Sequence, residues 1–113
     1  MTQPKSRKRI PFFVVSTASS KKEAERIARQ IFEKKLAACV NIIYPATSFF
    51  WWKGKQEKAR EAVLLIKTLS NQFGPLETLI RRAHSYEVPE VIGWPIQKVS
   101  KPYFRWLCSS VTR

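Results

Sequence analysis

The sequence predicts an α+β fold: four antiparallel strands in the order strand, helix, strand, strand, helix, strand, with a further helix at the C-terminus. Three observations predict it. Apolar runs rich in β-branched and aromatic residues occur at 11–17, 36–52, 60–69 and 91–96. Apolar residues at helical spacing fill the intervals between the first and second runs and between the third and fourth. Lys53-Gly54-Lys55 reads as a tight turn joining the second and third runs into a hairpin. The 113 residues form one domain, a size that folds alone but buries only roughly two-thirds of its unfolded surface.

Taken in order, Pro11 to Thr17 (PFFVVST) suits a buried strand. Ser20 followed by Glu23 fits a capping box, each side chain satisfying a backbone donor at the helix start. Behind it Ala24, Ile27, Ala28, Ile31 and Phe32 form one apolar stripe on a helix ending near Lys35, with Lys21, Lys22, Arg26 and Arg29 mostly off it. The next stretch, Leu36 to Trp52, carries no charge. It reads as a long strand that Pro45 bends or bulges, since proline cannot donate to a ladder. Its Phe49-Phe50-Trp51-Trp52 run places large aromatics on both faces of the sheet, because neighbouring strand side chains point opposite ways. Helices on one face alone would leave half of these rings in water, so a second copy of the chain is expected to cover them.

Arg60 to Leu69 is the third strand, with Ala62, Leu64 and Ile66 on one face and Glu61, Val63, Leu65 and Lys67 on the other. A second helix lies within Ser70 to His84, with Phe73, Leu76, Ile80 and Ala83 near one side. Gly74-Pro75 puts its regular start near Pro75, because proline is tolerated only in a first turn. Val91 to Ile96 is a fourth strand, and its Pro95 marks an edge or a strand end. Lys101-Pro102 opens the C-terminal helix, with Tyr103, Trp106, Leu107 and Val111 expected inward. The whole is a split βαβ pattern, a ferredoxin-like βαββαβ sheet with helices on one face plus the terminal helix. The domain is placed at 11–113, preceded by a basic, disordered tail at 1–10.

Composition bounds the partners. The chain carries 21 Lys or Arg against 8 acidic residues, a formal charge of +13. Such a balance attracts anions such as RNA, phosphates or acidic membranes without naming one. Lys5, Arg7, Lys8 and Arg9 share the tail, which reads either as a solvated terminus or as an arm for nucleic acid or membrane. The tail lacks the apolar core of a signal peptide, and the uncharged 36–52 run, broken by Asn41, Pro45, Thr47 and Ser48, is no membrane helix. Cys39 and Cys108 make no disulfide framework, so a cytoplasmic protein with free thiols is expected.

Little here fits a catalytic template. There is one His, no CxxC, no GxSxG and no phosphate-binding Gly-rich loop. His84 ends a helix beside Tyr86, Glu87 and Glu90. It reads either as a helix C-terminal histidine or as a ligand, although one imidazole alone is a weak metal site. A symmetric oligomer would bring several such sites together, or recruit Cys39, Glu61 or Glu90. Cys39 also reads as a small buried hydrophobe. Glu61 and Lys67 share a strand face, as solvated ends or as polar groups of a subunit cleft. Cys108 receives no role.

Five segments in register, LAACVN at 36–41, TSFFWWKGK at 47–55, LLIKT at 64–68, HSYEVPE at 84–90 and YFRWL at 103–107, resemble the CutA divalent-cation tolerance proteins. The match runs along nearly all of 12–110. The resemblance implies a ferredoxin-like homotrimer without enzymatic activity, a role in divalent-metal tolerance, and copper binding in some members. It implies an intersubunit ligand cleft at Trp52, Glu61, Lys67, His84, Tyr86 and Glu90, with His84 and Cys39 as metal ligands for Cu(II) or another divalent cation. Three features depart from the family pattern: Ser16 stands where some copper-binding members have cysteine, Ser85 replaces a proline, and Lys58-Ala59-Arg60 replaces an acidic segment. These changes weaken a cation-binding reading and leave an anion-binding one open. RNA-binding modules of the same fold need an RNP1-like K/R-G-F/Y pattern, but Gln56 follows Lys53-Gly54-Lys55. An acylphosphatase-like loop would need an arginine, which Ala18-Ser19-Ser20-Lys21 lacks.

Overall fold

A computed structural model describes residues 9–112. The elements are β1 (Pro11–Ala18), α1 (Lys21–Glu33), β2 (Cys39–Trp52), β3 (Lys55–Leu69), α2 (Phe73–Ala83), β4 (Val91–Pro95) and α3 (Lys101–Ser110). The strands form one antiparallel sheet in the order β2-β3-β1-β4, the ferredoxin-like arrangement expected. Lys5, Arg7 and Lys8 of the basic tail lie outside the described residues. Arg9 is described, and its Nη2 donates to Val111 O at 3.0 Å.

Strand alternation sorts the sheet into two faces. Val14, Ala18, Ala62, Leu64 and Ile66 face α1 and α2 and are fully buried with Ala24, Ile27, Ile31, Leu76 and Ile80. The opposite face holds Val15, Val63 and Leu65 with Ile43, Ile92 and Trp94, the last three about half exposed. Helix α3 covers only one end of that face, where Leu107 and Val111 pack on Leu69 and Ala38. Its terminus is tied down further: Thr112 N donates to Lys35 O at 2.8 Å and Gln72 Nε2 to Thr112 O at 2.6 Å.

Several local expectations need correction. Helix α2 starts at Phe73 after a short 3-10 turn (Ser70–Gln72), two residues before Pro75. Proline is accommodated because the first four N–H groups of a helix have no intrahelical acceptor. Phe32, Tyr103 and Trp106 are exposed rather than inward; Phe104 and Cys108 take the inner side of α3 beside Leu107. Ser20 Oγ does accept from Glu23 N at 3.0 Å, but the Glu23 carboxylate reaches Ser19 N instead of Ser20 N.

The hairpin is longer than its sequence signal. Strand β3 begins at Lys55, so β2 and β3 continue as a two-stranded ribbon past the last pairs of β1, and the fold is elongated at 52 × 26 × 25 Å. Lys53 (φ 50°) and Gly54 (φ 77°) form the two-residue turn with both φ values positive, matching the twist of a hairpin. The register shift between Ile43 and Ala46 places the predicted bulge at Tyr44-Pro45.

Two glycines test the packing. A Cβ on Gly93 would lie 2.6 Å from the Phe12 ring, whereas one on Gly74 would meet nothing within 4 Å. Gly93→Ala is therefore expected to cost about 1–3 kcal/mol in urea denaturation through overpacking. Gly74→Ala, in open space but directly before Pro75, sets the helix gain of alanine against the clash of its Cβ with the proline ring, so it is expected to change stability by less than about 1 kcal/mol.

Candidate functional site

The loop between α2 and β4 carries three of the predicted site residues and is pinned at three places. Tyr86 N donates to His84 Nδ1 at 3.0 Å, which leaves Nε2 to donate to Thr17 O at 2.6 Å. Ser85 N donates to Glu23 Oε2 at 2.8 Å, and Ser16 Oγ donates to Glu90 O at 2.7 Å. Tyr86 then reaches across to β3, its hydroxyl donating to Glu61 Oε2 at 2.8 Å. The His84 and Tyr86 rings pack 4.7 Å apart.

This loop and the projecting ribbon form the two walls of a cleft of about 990 Å³. The ribbon wall presents Phe50, Trp52, Glu57 and Glu61, alternate residues on one face of the hairpin; the loop wall presents Tyr86 and Glu90. Glu61 is only 5 % exposed, and burial together with the Glu61 charge pushes the Glu90 carboxyl above its ordinary range. Burial, reinforced by the same carboxylate, pushes the Tyr86 hydroxyl up to about 12.

Of the predicted site residues, Trp52, Glu61, Tyr86 and Glu90 line the cleft. His84 lies behind it with both ring nitrogens engaged by the backbone. Lys67 and Cys39 are paired with each other at the far end of β3, where Lys67 Nζ lies 4.0 Å from Cys39 Sγ and bonds Asn41 Oδ1. Four register positions separate Lys67 from Val63, the partner of Thr17 beside His84, so one chain does not bring Cys39 and His84 together. Among the described residues no group of three or more His, Cys, Asp or Glu is placed to hold a metal ion. Lys58 and Arg60, read above as weakening a cation site, alternate onto the opposite ribbon face from Glu57 and Glu61.

Sequence reasoning missed Phe50, Glu57 and Glu87 as cleft residues and Glu23 as the anchor of the loop. The first two were legible from the alternation once the turn at Lys53-Gly54 fixed the register. Glu23 was not, because its partner Ser85 is far away in the chain.

Residues 12–110 match the family model described as CutA1 divalent ion tolerance protein. The chain belongs to this family. The divalent-cation tolerance protein CutA of Archaeoglobus fulgidus is 44% identical over 99 residues, covering 88% of this chain and 96% of that protein. The mouse protein CutA is 44% identical over 91 residues, 80% of this chain; the match spans about half (51%) of that relative's length. Among solved structures, the A. fulgidus protein superposes with a TM-score of 0.88 at 43% identity, covering 91% of this chain and all of that one. CutA1 of Oryza sativa superposes equally well, with a TM-score of 0.88 at 37% identity over 91% of this chain and 94% of that one.

The cytoplasmic expectation is overturned by these relatives. The A. fulgidus protein is described as periplasmic and a rice relative, 40% identical over 102 residues, as chloroplastic. Two thiols that are not paired with each other carry no compartment information against that. No described helix is long and apolar enough to cross a membrane.

The loop anchor has a pH signature. Burial raises the Glu23 carboxyl, but hydrogen bonds from Ser19 and Ser85 outweigh it and hold the group at about 2. Its contribution, on the order of 3 kcal/mol, is complete above the ordinary carboxylate value and is lost as pH falls toward 2. Denaturation midpoints of the wild type and Glu23→Gln should therefore differ most at neutral pH and converge toward pH 2. A gap independent of pH would remove the carboxylate charge from the anchor.

Proposed function

We propose that this chain works as a homotrimeric, non-enzymatic binding protein in divalent-metal tolerance, taking a divalent cation such as Cu(II) or a small ligand in a cleft completed between subunits. The observation that supports it most is the apolar sheet face left bare by α1 and α2. Ile43, Ile92 and Trp94 on that face are about half exposed, and the ribbon that prolongs the sheet adds Phe49 and Trp51, 75% and 70% exposed, on its other face. Exposed apolar surface of this extent marks an interaction site, and a second copy is the partner proposed to cover it. Family membership supports the metal-tolerance role.

In this reading Trp52, Glu61, Tyr86 and Glu90 form the cleft wall, with His84 at its back and Lys67 at the far end of the same sheet face. Copper, which favours imidazole and thiolate, would draw on His84 and Cys39, and His84 Nε2 would have to release Thr17 O to serve. Recognition of RNA gains no support, since no RNP1-like pattern lies on the sheet.

Light scattering on a sizing column should give a mass of about three 13.2 kDa chains. Ile43→Glu, at a position half exposed in the single chain, should shift it to the monomer without unfolding it. A wild-type monomer at micromolar concentration would sink the trimer. Calorimetric titration with Cu(II) should weaken in His84→Ala and Cys39→Ser; titrations indistinguishable from the wild type would remove both from the metal site.

A further inference from the structure

The cleft has a composition unlike the rest of the chain. The protein carries 21 Lys or Arg against 8 acids, yet the described lining contains Glu57, Glu61, Glu87 and Glu90 and no Lys, Arg or His. Half of all the acidic residues thus face one cavity. Glu61 is nine-tenths buried and turns Oε2 to Tyr86. Among the described residues its other oxygen takes no hydrogen bond and is not fully buried, so it stays open to water or to a ligand. Two carboxylates lining one partly dry site, with no basic side chain in its described lining, favour a bound positive charge.

The rest of the lining decides what kind of cation. The ribbon wall is aromatic, with Phe50 and Trp52 on the Glu61 face and Tyr86 opposite. Aromatic faces attract cations that shed water easily, above all organic ammonium and guanidinium groups. The ribbon's own side chains show that its rings accept ammonium: Lys53 Nζ lies 5.5 Å from the Trp52 ring and Lys58 Nζ 5.6 Å from Phe49. A cavity of about 990 Å³ is far larger than one metal ion fills and falls in the range of small-molecule sites. The carboxylates do not converge as three ligands on one point.

We propose that the cleft binds an organic ammonium or guanidinium cation, with Glu61 and Glu90 pairing its charge and Phe50, Trp52 and Tyr86 enclosing its apolar part. The inference rests on the binding-protein reading above and names the ligand class of its cleft. The overall charge of +13 repels cations, so any binding must be local to the site.

Titration with spermidine at low ionic strength, followed by tryptophan fluorescence and calorimetry, tests it on the full chain, with Cu(II) run in parallel. Saturable spermidine binding is expected, weakened at least about tenfold in Glu61→Gln and in Glu90→Gln and also in Phe50→Ala, a loss of about 1.4 kcal/mol. The two Gln variants keep side-chain volume, and unchanged circular dichroism confirms their fold. Spermidine binding that is absent, or indifferent to all three variants, overturns the organic-cation proposal. If Cu(II) still binds in that case, the metal-binding reading survives; if neither cation binds, both fail.

Discussion

The structure depends on one mismatch of length. Strands β2 and β3 run for 14 and 15 residues, whereas β1 and β4 stop after 8 and 5. The excess leaves the sheet as a two-stranded ribbon with no third strand beside it. Such a hairpin is marginally stable in water unless one face is covered. Its sequence makes water a poor environment, since Phe49 and Trp51 project from one face and Phe50 and Trp52 from the other. The inner face gains partial cover from the 84–90 loop, and Phe50 and Trp52 are accordingly about half as exposed as Phe49 and Trp51. Phe49 and Trp51 on the outer face border the cleft as well but stay mostly exposed. The cleft and the exposed aromatics are thus two consequences of the same overhang.

Periodicity made most of the fold legible. The core of α1 and α2, the two-faced third strand, the cap at Ser20 and the bulge at Pro45 all follow from local patterns. Phe32, Tyr103 and Trp106 failed because they sit at the margins of their helical stripes, where spacing alone does not decide burial. The site was less legible for a geometric reason. Glu61 and Lys67 share a face, but six residues of strand separate them by about 20 Å, so a shared face is not a shared site. His84 reads from the sequence as the end of a helix or as a ligand, yet its ring holds the backbone of the following loop and of β1 rather than facing the cleft. No local pattern carries that information.

Charge shows the same limit more sharply. Lys58-Ala59-Arg60, read along the chain, makes the neighbourhood of Glu61 basic. Read across the strand, it does not, because Lys58 and Arg60 alternate away from Glu57 and Glu61. A net charge of +13 therefore coexists with a cleft whose described lining holds only acids among its charged groups. The sign of a site is set by the strand period of two, not by the total.

The two walls of the cleft also differ in how firmly they are held. The loop wall is fastened through His84 to β1, through Ser85 to α1 and through Glu90 to Ser16, each by a hydrogen bond of 2.8 Å or shorter. Arg26 adds a bond to Ala83 O at 3.1 Å while pairing with Glu23, so the first turns of α1 grip the start of the loop twice over. Among the described residues the ribbon wall is held by its own ladder and by the Tyr86–Glu61 contact at its root. The ribbon is therefore the less constrained of the two walls. In the proposed assembly, a partner covering the outer aromatics would stiffen that wall and lower the ordering cost of a ligand against Phe50 and Trp52. The two faces of the ribbon belong to one strand pair, so covering one face would be felt on the other.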